Sequence, residues 1–538
     1  MIPSGTREMT RDTAADVARA RRQGLADLPA RSARRHPDRT AVVDGGVRLT
    51  YARFDELIDR VAGALAAAGL TAGDRLGILS HNCWQFPVLT FATARIGVVL
   101  VPVNFMLTAS EIAYILDHSG CVAFVAEDAL VPTAEQAEAL AGRDLALRGV
   151  IRLGAAQVGP QWTDVEEWCA YAGPPAPEVA VGDDDPIRLM YTSGTESRPK
   201  GALLTSRSLM WQYTSSIVAG SMESRDVEIH SMPFYHCAQL DNFFIPDVYL
   251  GATSIVLRSP DPAAILRAIE AEGATNLFCP PTVWISLLRS PVLDEVDVST
   301  LTKGYYGASA MPAEILAEIR ARFPNLRLWN FYGQTEMAPL ATALPPEDQD
   351  DFAGSAGVPV LNVETRVVDP DGVELPAGEV GEIVHRSPHL VLGYHADPER
   401  TAEAFRDGWF HSGDLGYADP TGRLWVVDRK KDMIKTGGEN VAGREVEEVL
   451  YTHEDLEEVA VFGIAHPHWV EAVVAAVVPR AGHTVTPDAV IAFCRARMAG
   501  YKTPKYVVVL DALPKNPSGK ILKRSLRDTY ADLAAAAS

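Results

Sequence analysis

The chain has 538 residues, with 49 Lys and Arg against 70 Asp and Glu and a formal net charge of −21. One hydrophobic core does not extend over that length, so two or more domains are expected. So acidic a chain excludes a general electrostatic grip on DNA or RNA, and the cations for any anionic ligand must be gathered locally.

Cys83, Cys121, Cys169, Cys237, Cys279 and Cys494 are scattered without a CxxC pair. That argues against a zinc site or a disulfide framework and fits a reducing cytoplasm. The N-terminal segment lacks the apolar run of a signal peptide. Arg95 and Asn104 interrupt the best apolar stretch, so no membrane span is expected.

Residues 1–24 are polar and read as flexible. Thr40–Val43 reads as a strand. From Tyr51 to Leu70, the residues Phe54, Leu57, Ile58, Val61, Leu65 and Ala66 fall on one helical face. Leu76–Leu79 reads as a strand, Phe86–Ile96 as a helix and Val98–Val101 as a strand. This alternation, continuing to the region of residue 340, predicts an α/β fold of βαβ-type layered sheets. A strand-and-turn section follows, with turns at Asp369–Gly372 and Pro376–Gly378, and reads as a small β-barrel-like section. The charged run Asp428–Asp432 after the strand Leu424–Val427 is either a solvated turn or a domain boundary. Beyond it lies an α+β pattern: a helix over Gly443–Leu450 and strands over Glu458–Phe462 and Ala472–Val478. The expected organisation is a large N-terminal domain over 1–427, a hinge at 428–431 and a small mobile C-terminal domain over 432–538.

Four segments carry chemistry. Tyr191–Gly201 combines two glycines, four Ser/Thr hydroxyls and Lys200 after the apolar run Ile187–Met190. Bare backbone N–H groups, hydroxyls and one cation suit a polyphosphate. A Walker loop would place Gly before the lysine and Ser or Thr after it; here these are Pro199 and Gly201. The second segment is Trp329–Met337, with Gly307–Ala310 upstream. Tyr332 offers a flat face for a base, Thr335 a hydroxyl for a phosphate oxygen, and Glu336 a hard oxygen ligand for Mg²⁺. The third is Gly408–Asp414 with Asp428-Arg429, where Asp414 and Arg429 suit ribose hydroxyls. The fourth is Lys515–Lys520, a lysine on a glycine-containing loop. Each alone is also an ordinary polar turn; the ordered set of four is not.

On these residues, and on Pro233-Phe-Tyr-His236, Asp428–Lys435 and Thr436–Asn440, the chain resembles the adenylate-forming superfamily. That superfamily includes acyl-CoA synthetases, firefly luciferase and peptide-synthetase adenylation domains. The resemblance is strongest to the fatty-acyl and aryl-CoA ligase branch and covers nearly the whole chain. It implies two steps: a carboxylate attacks the α-phosphate of Mg·ATP, and the coenzyme A thiol then displaces AMP. It assigns Thr192, Ser193, Gly194, Thr195 and Lys200 to the β- and γ-phosphates, with Thr195 also at the metal. Gly307, Ala308 and Ser309 would line the adenine and acyl sites, and Tyr332 would stack on adenine beside Gly333 and Gln334. Thr335 would touch the α-phosphate, Glu336 would bind Mg²⁺, and Asp414 and Arg429 would hold the ribose. Lys520 would neutralise charge developing between carboxylate and α-phosphate. His236 matches an aromatic gate, Lys431 the hinge pivot, and Lys435 and Gly438 the cofactor-binding set, with Gly438 lining the pantetheine tunnel.

One departure stands out: Glu196 and Ser197 replace the Thr-Gly usual in the phosphate loop, and Glu196 is expected to point away from the triphosphate. The acid is not readable. Gln239, Leu240, Asp241, Phe243 and the segments 307–310 and 337–341 are its expected walls, with Gln239 and Asp241 read as helix-surface residues rather than substrate-recognising groups. The shared motifs do not separate a CoA ligase from relatives that load a carrier protein or, as diazotases, activate nitrite. A non-catalytic nucleotide-binding scaffold has no use for Glu336, Asp414, Arg429 and Lys520 together. The expected partners are a small carboxylic acid, ATP and CoA, with a homodimer allowed.

Overall fold

A computed structural model describes residues 11–192, 199–308, 311–436, 439–516 and 520–533. Residues Arg11–Arg21, expected from their polarity to be loose, form a helix; four alanines among the eleven residues give the segment high intrinsic helicity.

Two large sheets build the first lobe. The seven-stranded sheet runs, edge to edge, through Thr163–Asp164, Leu147–Ile151, Ala123–Glu127, Arg75–Leu79, Val99–Pro102, Pro186–Thr192 and Lys200–Thr205, and only the last pairing is antiparallel. The nine-stranded sheet has a parallel centre that includes Thr253–Val256, Val227–His230, Asn276–Phe278, Lys303–Gly307 and Arg327–Gly333. Its edges are antiparallel. Parallel neighbours need crossovers, and helices supply them. The helix Gln85–Arg95, for example, joins Arg75–Leu79 to Val99–Pro102. Covering both sheet faces explains why every residue of Val99–Pro102 is buried. The helix Tyr51–Ala67 buries Phe54, Leu57, Ile58, Val61 and Leu65, as their spacing predicts. One apolar core runs from Leu76 and Ile78 through Phe86 and Phe91 to Val42 and Val256, joining both sheets.

The strand-and-turn section is a five-stranded antiparallel sheet of Glu364–Val368, Gly381–Arg386, Phe405–Arg406, Trp409–Ala418 and Leu424–Arg429. The smaller C-terminal domain has its own sheet, dominated by the antiparallel pair Leu456–His466 and Val470–Pro479. Its helix Gly443–Tyr451 lays Val446 and Leu450, four residues apart, into a separate core with Val459, Val461 and Val473. Arg444 donates to the carbonyls of Val426 (2.5 Å) and Gly354 (3.1 Å), and Gly443 N–H donates to Asp428 Oδ2 at 2.8 Å. The charged run at 428–432 is thus tied down rather than simply solvated. No helix among the described residues is long and apolar enough to cross a membrane.

The expectation for Gln239 and Asp241 is corrected: both are fully buried. They lie on a widened helical turn, Leu240–Phe244 following Cys237–Gln239, packed inside the first lobe. Asp241 forms an ion pair with the buried Arg188 of the seven-stranded sheet and accepts from Tyr213 Oη at 3.0 Å. Gln239 bridges His230 and the Met232 N–H. Their partners lie inside the protein, and Asp241 Oδ2 is left without one.

Removing one partner of a buried ion pair strands the other charge, so Asp241→Ala should cost about 3–5 kcal/mol. The double variant Arg188→Met, Asp241→Leu should recover most of the lost Tm in thermal unfolding at a fixed scan rate. Equal Tm values for wild type and Asp241→Ala would refute a structural role for the pair.

Candidate active site

In open α/β sheets, ligands bind beyond the carboxyl ends of the strands. The strands Lys303–Gly307 and Arg327–Gly333 are parallel neighbours, with Gly307 opposite Phe331. Both end on glycines for steric reasons. A Cβ on Gly307 would stand 2.4 Å from the Phe331 carbonyl oxygen, and one on Gly333 would stand 1.9 Å from that of Pro339. Ala308 follows in the left-handed region, at φ 66°. Across the crevice, Thr192 and Lys200 are paired at the end of their hairpin. His236 caps the short helix that begins at Cys237. In the five-stranded sheet, the register sets Asp414 opposite Arg429.

These ends open on a cleft of about 720 Å³ lined by Thr192, Lys200, His236, Thr335, Glu336 and Arg429, with Lys520 reaching it from the smaller domain. Ala308, Gly333 and Gln334 also line it. Tyr332 and Asp414 stand in its supporting wall. Lys435 does not line it; this residue is exposed on the strand Ile434–Thr436. Ser193, Gly194, Thr195, Glu196, Ser197, Ser309 and Gly438 lie outside the described residues.

Asp414 is buried. Its Oδ2 accepts from Tyr332 Oη at 2.7 Å. Its Oδ1 lies 3.1 Å from Arg429 Nε in an ion pair, yet accepts no aligned hydrogen bond. Gln334 Nε2 is likewise buried without a partner. A buried acceptor and a buried donor left open at one cleft fit a polar ligand that completes them. Glu336 accepts from Tyr394 Oη through Oε1, at 2.8 Å. Thr335 Oγ1 accepts from the Cys237 thiol at 3.4 Å.

The electrostatics separate His236 from Lys520. His236 Nδ1 accepts from the Ala238 N–H at 3.1 Å, so its proton sits on Nε2. Burial, with the Lys520 charge adding to it, brings its pKa down to about 4, and the ring is a neutral donor at physiological pH. Lys520 is lowered to about 8, chiefly by the like charge of Arg429 and partly by desolvation. The residue is exposed at the surface, so the charge effect is the firmer cause.

Sequence reasoning did not find Tyr394, Cys237 or Glu382. Glu382 gathers Lys430 at 3.2 Å and His411 at 3.3 Å on the cleft wall. None of the three sits in a motif with a local signal.

The AMP-binding enzyme family matches residues 29–395, and the AMP-binding enzyme C-terminal domain matches residues 445–520. A feruloyl-CoA synthase from Amycolatopsis is 38% identical, over 95% of this chain and 100% of that protein. An indoleacetate–CoA ligase from Aromatoleum aromaticum is 34% identical, over 92% and 96%. Among solved structures, ATP-bound MatB from Rhodopseudomonas palustris matches with a TM-score of 0.85 and 30% identity, over 95% of this chain and 100% of that one. The chain belongs to the AMP-binding enzyme family.

At pH 8 a Lys520 amine with a pKa of about 8 is half free base, whereas for an ordinary lysine fewer than roughly one in a hundred are. Competitive acetylation read by peptide mass spectrometry should therefore modify Lys520 at least about tenfold faster than surface lysines. ATP, by restoring the positive charge, should suppress the difference. A Lys520 no more reactive than Lys515 would contradict the assignment.

Proposed function

We infer that this chain is an ATP-dependent carboxylic acid:CoA ligase that forms an acyl-adenylate, releases pyrophosphate and then transfers the acyl group to CoA with release of AMP. The observation that supports it best is the single cleft on which Thr335, Glu336, Lys200 and neutral His236 of the larger domain meet Arg429 of the hinge and Lys520 of the smaller domain. A carboxylate oxygen attacks the α-phosphorus of ATP, and the bond to pyrophosphate breaks. Lys520 offsets the charge that builds on the α-phosphoryl oxygens, Arg429 helps Asp414 hold the ribose, and Lys200 meets the outgoing phosphates. Asp414 Oδ1, the open acceptor, takes a ribose hydroxyl. The Nε2–H of neutral His236 is a hydrogen-bond donor to the acid's carboxylate. In the second step the CoA sulfur attacks the acyl carbon and AMP leaves.

Glu336 accepts one hydrogen bond, through Oε1, and its Oε2 accepts none from the described residues, which fits a divalent cation. Magnesium held by Glu336 and the ATP phosphates would supply further charge compensation. Between the steps, the smaller domain turns about residues 428–431 with Lys431 as pivot, which brings Lys435 and Gly438 to the CoA side. Six free, buried cysteines suit the reducing cytoplasm.

The acid is an aryl acid on this reading. Two similar relatives are named for feruloyl and indoleacetate substrates. Tyr191, Tyr235 and Phe410 line the cleft, flat faces against which a ring can pack. A pyrophosphate-release screen over aromatic and fatty acids should give turnover with aryl acids and CoA. No release with any acid, or turnover that requires nitrite or a carrier protein in place of CoA, would overturn the reading.

Two variants separate the half-reactions. Lys520→Ala should slow adenylate formation by about a hundredfold or more, as for loss of a charge-stabilising group, and leave thioester formation from supplied acyl-adenylate near wild type. Lys431→Pro restricts the hinge, so it should spare ATP–pyrophosphate exchange and depress CoA ester formation. Equal loss of both half-reactions in Lys520→Ala, or of neither in Lys431→Pro, would contradict these roles.

A further inference from the structure

The segment 392–395 runs beside the outgoing strand of the phosphate-loop hairpin. Leu392 N–H donates to Leu203 O at 3.0 Å, Leu203 N–H to Gly393 O at 3.1 Å, and His395 N–H to Gly201 O at 2.7 Å. Val391 N–H donates to the Glu336 carbonyl at 3.0 Å. One short stretch is therefore stitched both to the hairpin that carries Lys200 and to the turn that carries Glu336. Tyr394 stands at its centre, 8% exposed and on the cleft wall. Its Oη donates to Glu336 Oε1 at 2.8 Å, and Lys200 Nζ lies over its ring, 4.9 Å from the centroid.

The geometry is one-sided in a useful way. A phenol is protonated at neutral pH, so the Tyr394 hydroxyl donates and fixes one carboxylate oxygen of Glu336. The other oxygen accepts no hydrogen bond from the described residues. Among the described residues Lys200 has no carboxylate partner; its ammonium rests on an aromatic face, an attraction weak enough to leave its donors for an anion. A carboxylate in the place of Tyr394 would neutralise Lys200 and repel Glu336. An aliphatic residue would leave both unplaced.

We propose that Tyr394 is the positioning residue that sets Lys200 and Glu336 together, its ring seating the phosphate-binding ammonium and its hydroxyl orienting the carboxylate toward a divalent cation. This rests on the ATP-dependent reading above. Residues that orient a metal ligand through a hydrogen bond change metal affinity by about 10–100-fold when removed. A seated cation over an aromatic ring contributes far less.

The two functions come apart in two variants. Tyr394→Phe keeps the ring and deletes the hydroxyl; Tyr394→Leu deletes both. Calorimetric titration of the full chain with ATP in EDTA, and separately with ATP plus Mg²⁺, reads binding without turnover. Tyr394→Phe should bind ATP in EDTA as wild type does, yet lose about tenfold or more of the Mg²⁺-dependent gain in affinity. Tyr394→Leu should in addition bind ATP in EDTA about threefold to tenfold more weakly. Tm should be unchanged in Tyr394→Phe. The assignment is overturned if Tyr394→Phe matches wild type in both titrations, or if both variants weaken equally in EDTA along with a lowered Tm. A wild-type chain that binds no ATP in either titration would overturn the ligase reading itself, and this assignment with it.

Discussion

The arrangement depends on the pairing of Asp414 with Arg429. The register of two antiparallel strands places them opposite each other, so the pair is made when the five-stranded sheet forms. Tyr332, from the nine-stranded sheet, donates to the same carboxylate. Arg429 in turn depresses the amine of Lys520, which belongs to the smaller domain. One ion pair thus touches three structural units.

That pair also explains how so acidic a chain handles an anionic substrate. Asp414 lies 3.1 Å from Arg429, yet at Lys520 the effect of the Arg429 charge exceeds that of Asp414. Lys520 therefore sits beside residual positive charge. An incoming triphosphate offsets the repulsion between Arg429 and Lys520. The same logic places Lys200 on an aromatic ring instead of a carboxylate.

Much of this was legible in the sequence, for physical reasons that differ by region. The helix Tyr51–Ala67 and the parallel strands announce themselves by periodicity and unbroken apolar runs. Gly307, Gly333, Asp414 and Lys520 sit in short segments whose chemistry is local. Gln239 and Asp241 were misread because a polar residue on a helix normally faces water, and nothing local reveals that Arg188 waits in another sheet. Tyr394 escaped notice because its segment has no periodicity, and its partners come from hydrogen bonding to a distant hairpin. The replaced Thr-Gly at Glu196-Ser197 lies outside the described residues.

The central claim is that both domains meet on one adenylate whose ribose completes Asp414. A crystal structure with a non-hydrolysable acyl-adenylate analogue of the best acid tests it directly. A ribose hydroxyl within about 2.6–3.2 Å of Asp414 Oδ1, with Lys520 at the α-phosphoryl group, is the predicted result. An adenylate bound elsewhere, with Asp414 Oδ1 still lacking a hydrogen bond, would contradict the account.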